Sequence, residues 1–373
     1  MQYNFRISNV NERIKLIKPY ISYEEVTEEL KEVFDSGQLT KGQHVAKFVE
    51  SLQSYTSAKH AFLMTSATTA LTMCLKAIGV KKGDKVAISD FSFPATANVV
   101  EDLEAIPVFI DVDKQTYNMS PDDLRSKMDE SVKAVIFVDA LGNPSGIKDI
   151  LSICREFNIP LIEDAACAIG SDVDGDKVGA IADLTCFSFH PRKLLTTGEG
   201  GAILTNNSEY AKWFDVKLNH GASGLRGKVF DFVDFGFNYR MSEIQALMGW
   251  KQVLKLDEIT KQRNAIAEKF SDELEVVGMK RQKAHENAYH NIQSLVFTVP
   301  ENTDRDELID FLNSNNIEST IGTYCLSGTT YFQNKYDQVQ PVSKWLEDNT
   351  ITLPCYDGVD VSRVCAAIRT YLS

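Results

Sequence analysis

Short apolar runs alternate with amphipathic stretches between about residues 85 and 207 of this chain. Several runs are nearly continuous in Val, Ile, Leu and Phe, which is typical of parallel strands covered on both faces. The predicted strands are residues 85–90, 107–112, 134–139, 160–164, 185–189 and 201–205, with helical patterns at 121–128 and 147–157. The pattern predicts an α/β layer architecture, whose ligands bind beyond the carboxyl ends of the strands.

A helix start upstream of these strands offers groups that can bind an anion. Apolar residues recur at helical spacing over residues 66–78, and Ser66 and Gly79 are the predicted N-cap and stop. The first turn presents unpaired backbone N–H groups and the hydroxyls of Thr68 and Thr69, and such a terminus binds phosphate well. Taken alone, the segment is more typical of a capped helix without a ligand.

A second helix start lies at residues 242–245, SEIQ, which have the spacing of a capping box. Its apolar pattern continues toward Phe270 and predicts the exit from a large domain that covers residues 1–256. The remainder, residues 257–373, mixes helical patterns with strand candidates at 294–299, 318–321 and 350–353. We therefore predict a smaller C-terminal α+β domain.

The composition is that of an ordinary globular protein: 373 residues, 43% hydrophobic and 24% charged, are enough for two domains with sizeable cores. The net charge of -13 disfavours non-specific binding to nucleic acid and to anionic membranes. Seven cysteines without Cys-x-x-Cys spacing and six unclustered histidines predict reduced thiols and no metal site. Since neither a signal-peptide core nor a membrane-spanning run stands out, we expect a soluble cytoplasmic protein.

The segment of residues 187–201, FSFHPRKLLTTGEGG, carries the strongest chemical signal. Ser188 leaves an apolar strand, Lys193 follows five residues later, and a glycine-rich turn comes directly after it. A lysine that is held rigidly beside a carbonyl compound can act as a covalent catalyst, and the serine can hold a phosphate. The pairing indicates a site for pyridoxal phosphate (PLP).

Two further side chains are predicted to meet this lysine at the same edge of the sheet. Asp164 ends a buried strand, where a carboxylate needs a partner, and a protonated pyridine nitrogen is a suitable one. Asp164 is preferred to Glu163 because it ends the apolar run directly, although a helix N-cap is its alternative role. Phe93 follows another strand end and can stack on an aromatic cofactor, but a lone Phe is more often a core residue.

Competing nucleotide-binding motifs are not supported. No Gly-x-Gly-x-x-Gly follows the first strand, so the chain does not predict a dinucleotide site. Residues 221–228, GASGLRGK, lack the spacing of a phosphate loop, and Val229 stands where a magnesium-binding Ser or Thr is needed. We interpret this segment as a flexible glycine loop.

Several motifs follow one another along nearly the whole chain: SGQLTKG at 36–42, SATTAL at 66–71, EDAACA at 163–168, the lysine segment at 187–201, GFNYRMSEIQA at 236–246 and LPCY at 353–356. Together they resemble the DegT/DnrJ/EryC1/StrS family of PLP-dependent sugar aminotransferases. The resemblance implies the fold-type I architecture of PLP-dependent transferases, with a mostly parallel central sheet in the large domain.

The resemblance implies catalytic roles for Lys193 and Asp164. Lys193 would form the covalent bond to PLP and then transfer protons. Asp164 would pair with the pyridine nitrogen of the cofactor, and Phe93 would lie against the cofactor ring.

A second group of residues would bind the phosphate of PLP by the same resemblance. Ser188, Thr68 and the backbone of Ala67 would hold it within one chain. Asn238 matches an asparagine that, in this family, reaches the phosphate of the neighbouring subunit. The resemblance therefore implies a homodimer with shared active sites.

The chain departs from the family pattern at three places. Cys167 stands where many members carry Gln or His near the 3-hydroxyl of the cofactor, and we interpret it as a small buried thiol. Ala67 replaces the usual glycine. Residues 322–328 lack the histidine that many relatives carry near the sugar.

The implied function is a two-stage transamination in amino-sugar biosynthesis, for surface polysaccharide or secondary metabolism. L-glutamate is the expected donor, and a nucleotide-linked 3- or 4-keto-deoxysugar is the expected acceptor. Two alternatives share the fold: a PLP-dependent sugar dehydratase, which carries histidine in place of the lysine, and a non-catalytic PLP-binding paralogue. Lys193 argues against the first alternative, and the presence of the whole predicted residue set argues against the second.

Overall fold

The computed structural model describes residues 12–373. Its helices are α1 (Thr27–Ser36), α2 (Gln43–Thr56), α3 (Ala67–Ile78), α4 (Ala95–Asp102), α5 (Pro121–Lys127), α6 (Ile147–Glu156), α7 (Ser208–Lys217), α8 (Glu243–Val253), α9 (Leu256–Leu274), α10 (Arg305–Ser314), α11 (Thr330–Tyr336), α12 (Pro341–Asn349) and α13 (Val361–Leu372). Within the described residues, none of these helices combines the length and the apolar character that a membrane crossing requires.

The strands of the same part of the chain are β1 (His60–Met64), β2 (Lys85–Ser89), β3 (Phe91–Ser92), β4 (Ile106–Ile110), β5 (Val132–Val138), β6 (Leu161–Asp164), β7 (Asp172–Val173), β8 (Asp176–Lys177), β9 (Leu184–Ser188), β10 (Gly201–Thr205), β11 (Ala222–Arg226), β12 (Val229–Phe232), β13 (Lys280–Arg281), β14 (Ala288–Tyr289), β15 (Leu295–Thr298), β16 (Thr320–Ile321), β17 (Tyr324–Cys325) and β18 (Thr350–Leu353).

A seven-stranded sheet in the order β1-β10-β9-β6-β5-β2-β4 forms the centre of the fold. The neighbouring strands β9, β6, β5, β2 and β4 are parallel, whereas β10 runs antiparallel to both β1 and β9. The predicted α/β architecture with a mostly parallel central sheet is therefore confirmed. The six strands predicted for this region are present, each within two residues of its expected ends.

Two features of the central sheet do not follow from the apolar pattern. The run of β10 gives no sign of its antiparallel direction. That direction arises because the connection from β9 contains no helix, whereas a parallel neighbour needs a longer crossover. The pattern also does not predict β1, because its five residues run almost directly into the apolar pattern of α3.

Helices cover both faces of the central sheet, and alternate side chains of each strand separate the two cores. On one face, Ile88, Ile136 and Ile203 share a core with α3, α4 and α7. On the other face, Val135 and Leu161 pack with α5 and α6, while α2 and α8 cover β1, β9 and β10. Burial on both faces fixes the strand ends at which the predicted site residues lie.

The C-terminal part contains a four-stranded antiparallel sheet in the order β13-β15-β18-β16. Helices α9, α10 and α13 pack on it through a separate apolar core that includes Phe270, Leu308 and Ile368. The strands predicted near 294–299, 318–321 and 350–353 are confirmed as β15, β16 and β18. A domain division between residues 256 and 257 stays a prediction.

The two predicted helix starts are both confirmed. Ser66 Oγ accepts a hydrogen bond from the Thr69 N–H, and Ser242 forms the reciprocal capping box with Gln245. The apolar pattern that runs on toward Phe270 is divided between two helices, however. Lys255 leaves helical geometry, with φ -123° and ψ 13°, and separates α8 from α9.

Residues 221–228 do not form the flexible glycine loop that we expected, because β11 and β12 pair as an antiparallel hairpin. Arg226 pairs with Val229 across a turn in which Gly227 takes a φ of 67°, a left-handed conformation that favours glycine. Three apolar side chains of this hairpin are 62% to 67% exposed: Leu225 (67%), Phe230 (65%) and Phe232 (62%).

Candidate active site

A cavity of about 520 Å³ lies between the carboxyl ends of the central strands and the four-stranded sheet. Six of the residues predicted for the cofactor line it: Ala67, Thr68, Phe93, Asp164, Ser188 and Lys193. The seventh, Asn238, lies outside this cavity, exposed in the connection between β12 and α8. The fold thus gathers separate segments of the sequence onto one wall.

Lys193 lies in the connection between β9 and β10, whose backbone is held on both sides of the lysine. The buried side chain of Gln293 accepts the N–H of Leu194 (2.8 Å) and donates to the carbonyl oxygen of Arg192 (2.9 Å). The Lys193 N–H donates to the carbonyl oxygen of His190 (2.9 Å). This backbone has the rigidity that covalent catalysis by a lysine needs.

The amine of Lys193 donates a hydrogen bond to Cys167 Sγ at 3.0 Å. Cys167 is half-buried and lines the cavity, so its interpretation as a small buried thiol is wrong. The chain turns directly after β6 and carries Cys167 to the cavity wall instead of into the core. All seven cysteines are free, and the other six are buried.

Asp164 ends β6 and reaches the cavity as a buried carboxylate with two hydrogen-bond donors. Thr96 Oγ1 donates to Oδ2 (2.8 Å), and the Ala166 N–H donates to Oδ1 (3.3 Å). Burial raises the pKa of Asp164, while these hydrogen bonds and the charge of Lys193 act in the opposite direction. No helix begins at Asp164, so its alternative role as a helix N-cap is wrong.

Two other buried acids lie close to Asp164 but do not line the cavity. Adjacent residues of a strand face opposite sides of a sheet, and Glu163 accepts a hydrogen bond from Thr185 Oγ1 at 2.7 Å. Burial raises the pKa of Glu163 to about 7. Burial and the neighbouring Glu163 also raise the pKa of Asp139 well above its usual range. Asp164 is therefore the acid of this group that meets the cavity.

The first turn of α3 lines the cavity with groups that can bind an anion. The Ser66 side chain accepts a hydrogen bond from the N–H of Thr69. The amides of Ala67 and Thr68 are among the N–H groups that have no partner within the helix at its start. Gly201 lets β10 approach this turn, because a Cβ there would lie 2.5 Å from the carbonyl carbon of Ser66. Ser188, which pairs with Gly201, lines the same cavity as this turn.

The groups on this wall match the chemistry of PLP. The first turn of α3 and Ser188 suit a phosphate, the Lys193 amine suits an aldehyde carbon, and the Asp164 carboxylate suits a protonated ring nitrogen. Phe93 adds an aromatic side chain that is 65% exposed and stands edge-to-face with Tyr324, at 6.3 Å between ring centroids.

Sequence reasoning missed three residues that shape this site: Thr96, Gln293 and Gly201. Thr96 lies three residues after Phe93 on the first turn of α4, so its position near a strand end was the signal that could have found it. Gln293 comes from a segment about 100 residues from Lys193 along the chain, and no local pattern marks it. Gly201 belongs to the predicted glycine-rich turn, but its role depends on pairing with β9.

Comparison with known proteins agrees with this geometry. The profile of the DegT/DnrJ/EryC1/StrS aminotransferase family matches residues 21–369. A GDP-perosamine synthase of Vibrio cholerae is 30% identical over 92% of this chain and 95% of that protein. The UDP-4-amino-4,6-dideoxy-N-acetyl-beta-L-altrosamine transaminase of Campylobacter jejuni is 36% identical over 64% of this chain and 63% of that protein. The aminotransferase TlmJ of Streptoalloteichus hindustanus superposes with a TM-score of 0.90 at 26% identity, over 96% of this chain and 98% of that one.

Proposed function

The chain belongs to the DegT/DnrJ/EryC1/StrS aminotransferase family, and from that premise we propose that it transfers the amino group of L-glutamate to a nucleotide-linked 3- or 4-keto-deoxysugar. It is a PLP-dependent sugar aminotransferase. The observation that supports transamination at this site is the meeting of Lys193, Asp164 and the first turn of α3 on one cavity wall.

In the proposed mechanism the chain positions groups and moves protons. When bound, PLP supplies an electron sink for the bond that breaks at the amine-bearing carbon. Lys193 Nζ removes the proton from that carbon as a base and returns a proton as an acid. Asp164 holds a proton on the ring nitrogen through a charge-assisted hydrogen bond that contributes about 1.5–3 kcal/mol. Thr96 orients the carboxylate of Asp164 for this contact.

The remaining predicted residues hold the cofactor in the proposal. The amide of Ala67, the side chain of Thr68 and the hydroxyl of Ser188 bind the phosphate. The partial positive charge at the start of α3 favours this anion. Phe93 covers the ring.

The acceptor class is supported by what the relatives are named for. The Campylobacter relative is named for a UDP-linked sugar with an amino group at C4 and deoxygenation at C6. The Vibrio relative is named for a GDP-linked sugar. We therefore place a 4-keto-6-deoxy acceptor ahead of a 3-keto one.

We further propose a homodimer with shared active sites. The hairpin β11–β12 presents an exposed apolar patch that a second copy can cover. Asn238 is exposed and lies outside the cavity of its own chain, which suits a contact with the phosphate of the neighbouring subunit. Light scattering should give twice the 41.7 kDa of one chain, and Phe232→Ser should shift the protein toward monomer. A monomeric wild type would contradict the shared site.

The direct test follows nitrogen from donor to acceptor. The enzyme is supplied with PLP, ¹⁵N-labelled L-glutamate and UDP- or GDP-linked 4-keto-6-deoxyhexoses, and mass spectrometry measures the label in the sugar product. We expect labelled amino sugar from the wild type and none from Lys193→Ala. PLP binding without amine transfer from any donor would favour the non-catalytic paralogue, and loss of a sugar hydroxyl without labelling would favour the dehydratase. The cytoplasmic location stays a prediction.

A further inference from the structure

Residues 12–20, here called the N-terminal strap, connect the two cores of the protein beside the cavity. At one end Ile14 is buried in the core of the four-stranded sheet. At the other end Tyr20 packs against the core over β1, β9 and β10. Between these anchors, Leu16 and Ile17 are half-buried and line the cavity. The strap is therefore part of the cavity wall.

The carboxylate of Glu318 fixes the middle of the strap. Its Oε2 accepts the N–H of Leu16 (2.9 Å), and its Oε1 accepts Nε of Arg13 (2.8 Å). The backbone of Ile14 also pairs with the segment before β16, through Asn316 (2.8 Å) and Glu318 (2.9 Å). The hydrogen bond from the Leu16 amide is the main cause that lowers the pKa of Glu318. The position of Leu16 is thus set by a charged group that stays outside the cavity lining.

The strap and the strands of the four-stranded sheet give the cavity an apolar lining with hydroxyl groups. Within residues 12–373, the strap and the strands β15, β16 and β18 with their flanking residues contribute Leu16, Ile17, Ser294, Leu295, Thr320, Thr323, Thr352 and Leu353 to the lining. Arg263 from α9 also lines the cavity, but its guanidinium already donates to the carbonyl oxygens of Ile292 (2.7 Å) and Gln293 (2.9 Å). Mixed apolar and hydroxyl linings of this kind suit an uncharged, partly hydroxylated ligand.

We propose that the strap recognises the deoxygenated face of the acceptor sugar, with Leu16 and Ile17 against its methyl or methylene carbon. The threonine hydroxyls of the facing strands meet the remaining sugar hydroxyls. A sugar hydroxyl buried against Leu16 and Ile17 would lose its hydrogen bonds to water without replacement, so the deoxygenated sugar is favoured. This inference rests on the proposed function and names the feature of the sugar that the enzyme selects. Glu318 acts as a positioning residue.

L-glutamate is a poorer match for this wall. Its two carboxylates need cations or N–H donors, and the strap offers the cavity neither a lysine nor an arginine. Donor and acceptor react in separate halves of a transamination. A change in the strap can therefore alter the acceptor half and spare the donor half.

The experiment measures the two halves separately in the PLP-loaded enzyme, for the wild type, Leu16→Ala and Ile17→Ala. The acceptor probes are a UDP- or GDP-linked 4-keto-6-deoxyhexose and the same sugar with its 6-hydroxyl retained. Each strap variant should raise KM for the deoxy acceptor roughly 10-fold. The ratio of kcat/KM for the deoxy acceptor to that for the hydroxylated sugar should fall by a similar factor. The rate with L-glutamate should stay within about twofold, since no lost contact is predicted to touch the donor. Leu254→Ala, an exposed leucine outside the cavity, is the matched control.

Variants of Glu318 test the positioning role. Glu318→Ala removes the acceptor of the Leu16 N–H and should raise KM for the deoxy acceptor about fivefold with little change in kcat. Glu318→Gln keeps an oxygen that can accept this N–H and loses only an ion pair with Arg13, and such exposed pairs contribute little. The Gln variant should therefore restore most of the lost affinity.

Three outcomes would overturn the inference. Unchanged KM and unchanged sugar preference in both strap variants would remove the strap from recognition and leave the proposed function standing. Equal losses in both half-reactions together with a lowered melting temperature would show a merely structural role. A wild type that reacts with L-glutamate but aminates neither sugar would refute the proposed acceptor, and the inference would fail with it.

Discussion

The two walls of the cavity differ in their chemistry and in how the chain builds them. The wall at the central sheet carries the ionisable groups Lys193 and Asp164, each at or just beyond the end of a buried strand. The opposite wall is mainly apolar with hydroxyl groups, and it joins Leu16 to Glu318 across 302 residues of sequence. Reactive groups can be specified by short motifs, because a strand end fixes them locally. The proposed recognition surface depends on contacts between distant segments, which a motif does not display.

The largest expected effect comes from removing Lys193 from the cavity wall at the central sheet, here called the reactive wall. Lys193→Ala removes both the proposed nucleophile and the proposed proton carrier, so turnover should fall roughly 10⁴-fold or more. Steady-state transamination measures this loss. Mass spectrometry after borohydride reduction should find covalently attached cofactor in the wild type and none in the variant. Lys212→Ala, an exposed lysine on α7, serves as the control. Undiminished transamination by Lys193→Ala would remove the lysine from the mechanism.

A smaller loss of activity is expected from Asp164→Asn, which keeps the shape of the reactive wall and removes one negative charge from it. Asp164→Asn can still accept the hydrogen bond from Thr96 but cannot hold a proton on the ring nitrogen as strongly. The interaction contributes about 1.5–3 kcal/mol, so kcat should fall roughly 10- to 150-fold while KM for the keto-sugar changes little. Circular dichroism should show an intact fold. A variant with wild-type kcat would assign the ring-nitrogen contact to another group.

Gln293 joins the two walls and should have a more modest effect. Gln293→Ala frees the backbone on both sides of Lys193, so kcat should fall about 10-fold because the amine is less well oriented. Gln293→Glu retains the acceptor for the Leu194 N–H and should lose less. Pre-steady-state measurement of the glutamate half-reaction gives both values. Wild-type rates in both variants would mean that the hydrogen bonds of Gln293 do not position the lysine.

Asp90 offers a test, without measuring turnover, of the contact between the end of β2 and the segment that follows β17. At the end of β2 it accepts hydrogen bonds from the N–H (2.7 Å) and the hydroxyl (2.8 Å) of Ser327. Burial raises its pKa to about 6, above the value of about 3.9 for an unfolded chain. The folded state then binds the proton more tightly, so the contribution of this group to stability falls as pH rises from about 4 to about 6.

Relative to Asp90→Asn, the wild type should therefore lose about 2 kcal/mol of unfolding free energy between pH 4 and pH 6. Urea denaturation of both proteins at pH 4, 5, 6 and 7 measures the difference. The difference in unfolding free energy between the two proteins should level off above about pH 6. A difference that stays constant from pH 4 to pH 6 would show that Asp90 keeps an ordinary pKa in the fold.

The reactive wall and most of the sheet could be predicted because their signals are local. A strand that is buried on both faces reads as a continuous apolar run, and Ser188, Lys193 and Asp164 are placed by their distance from such runs. The order of the strands and the antiparallel direction of β10 depend on how connections cross the sheet, which the runs do not encode.

The remaining contacts could not be predicted because their partners are far apart in the sequence. Gln293 is recognisable only once the four-stranded sheet is placed beside the lysine connection. Cys167 looked like a core thiol until the turn after β6 carried it to Lys193. The strap has no motif at all, and its position follows from burial of Ile14 and the acceptor oxygens of Glu318.

The most direct test of the central claim records the absorbance of the protein with PLP before and after L-glutamate is added. If Lys193 carries the cofactor and the donor half-reaction occurs on this wall, the spectrum should change to that of pyridoxamine phosphate. A 4-keto-6-deoxy sugar should then restore the first spectrum, and Lys193→Ala should not give the starting spectrum. A wild-type spectrum that L-glutamate leaves unchanged would contradict the proposed donor reaction.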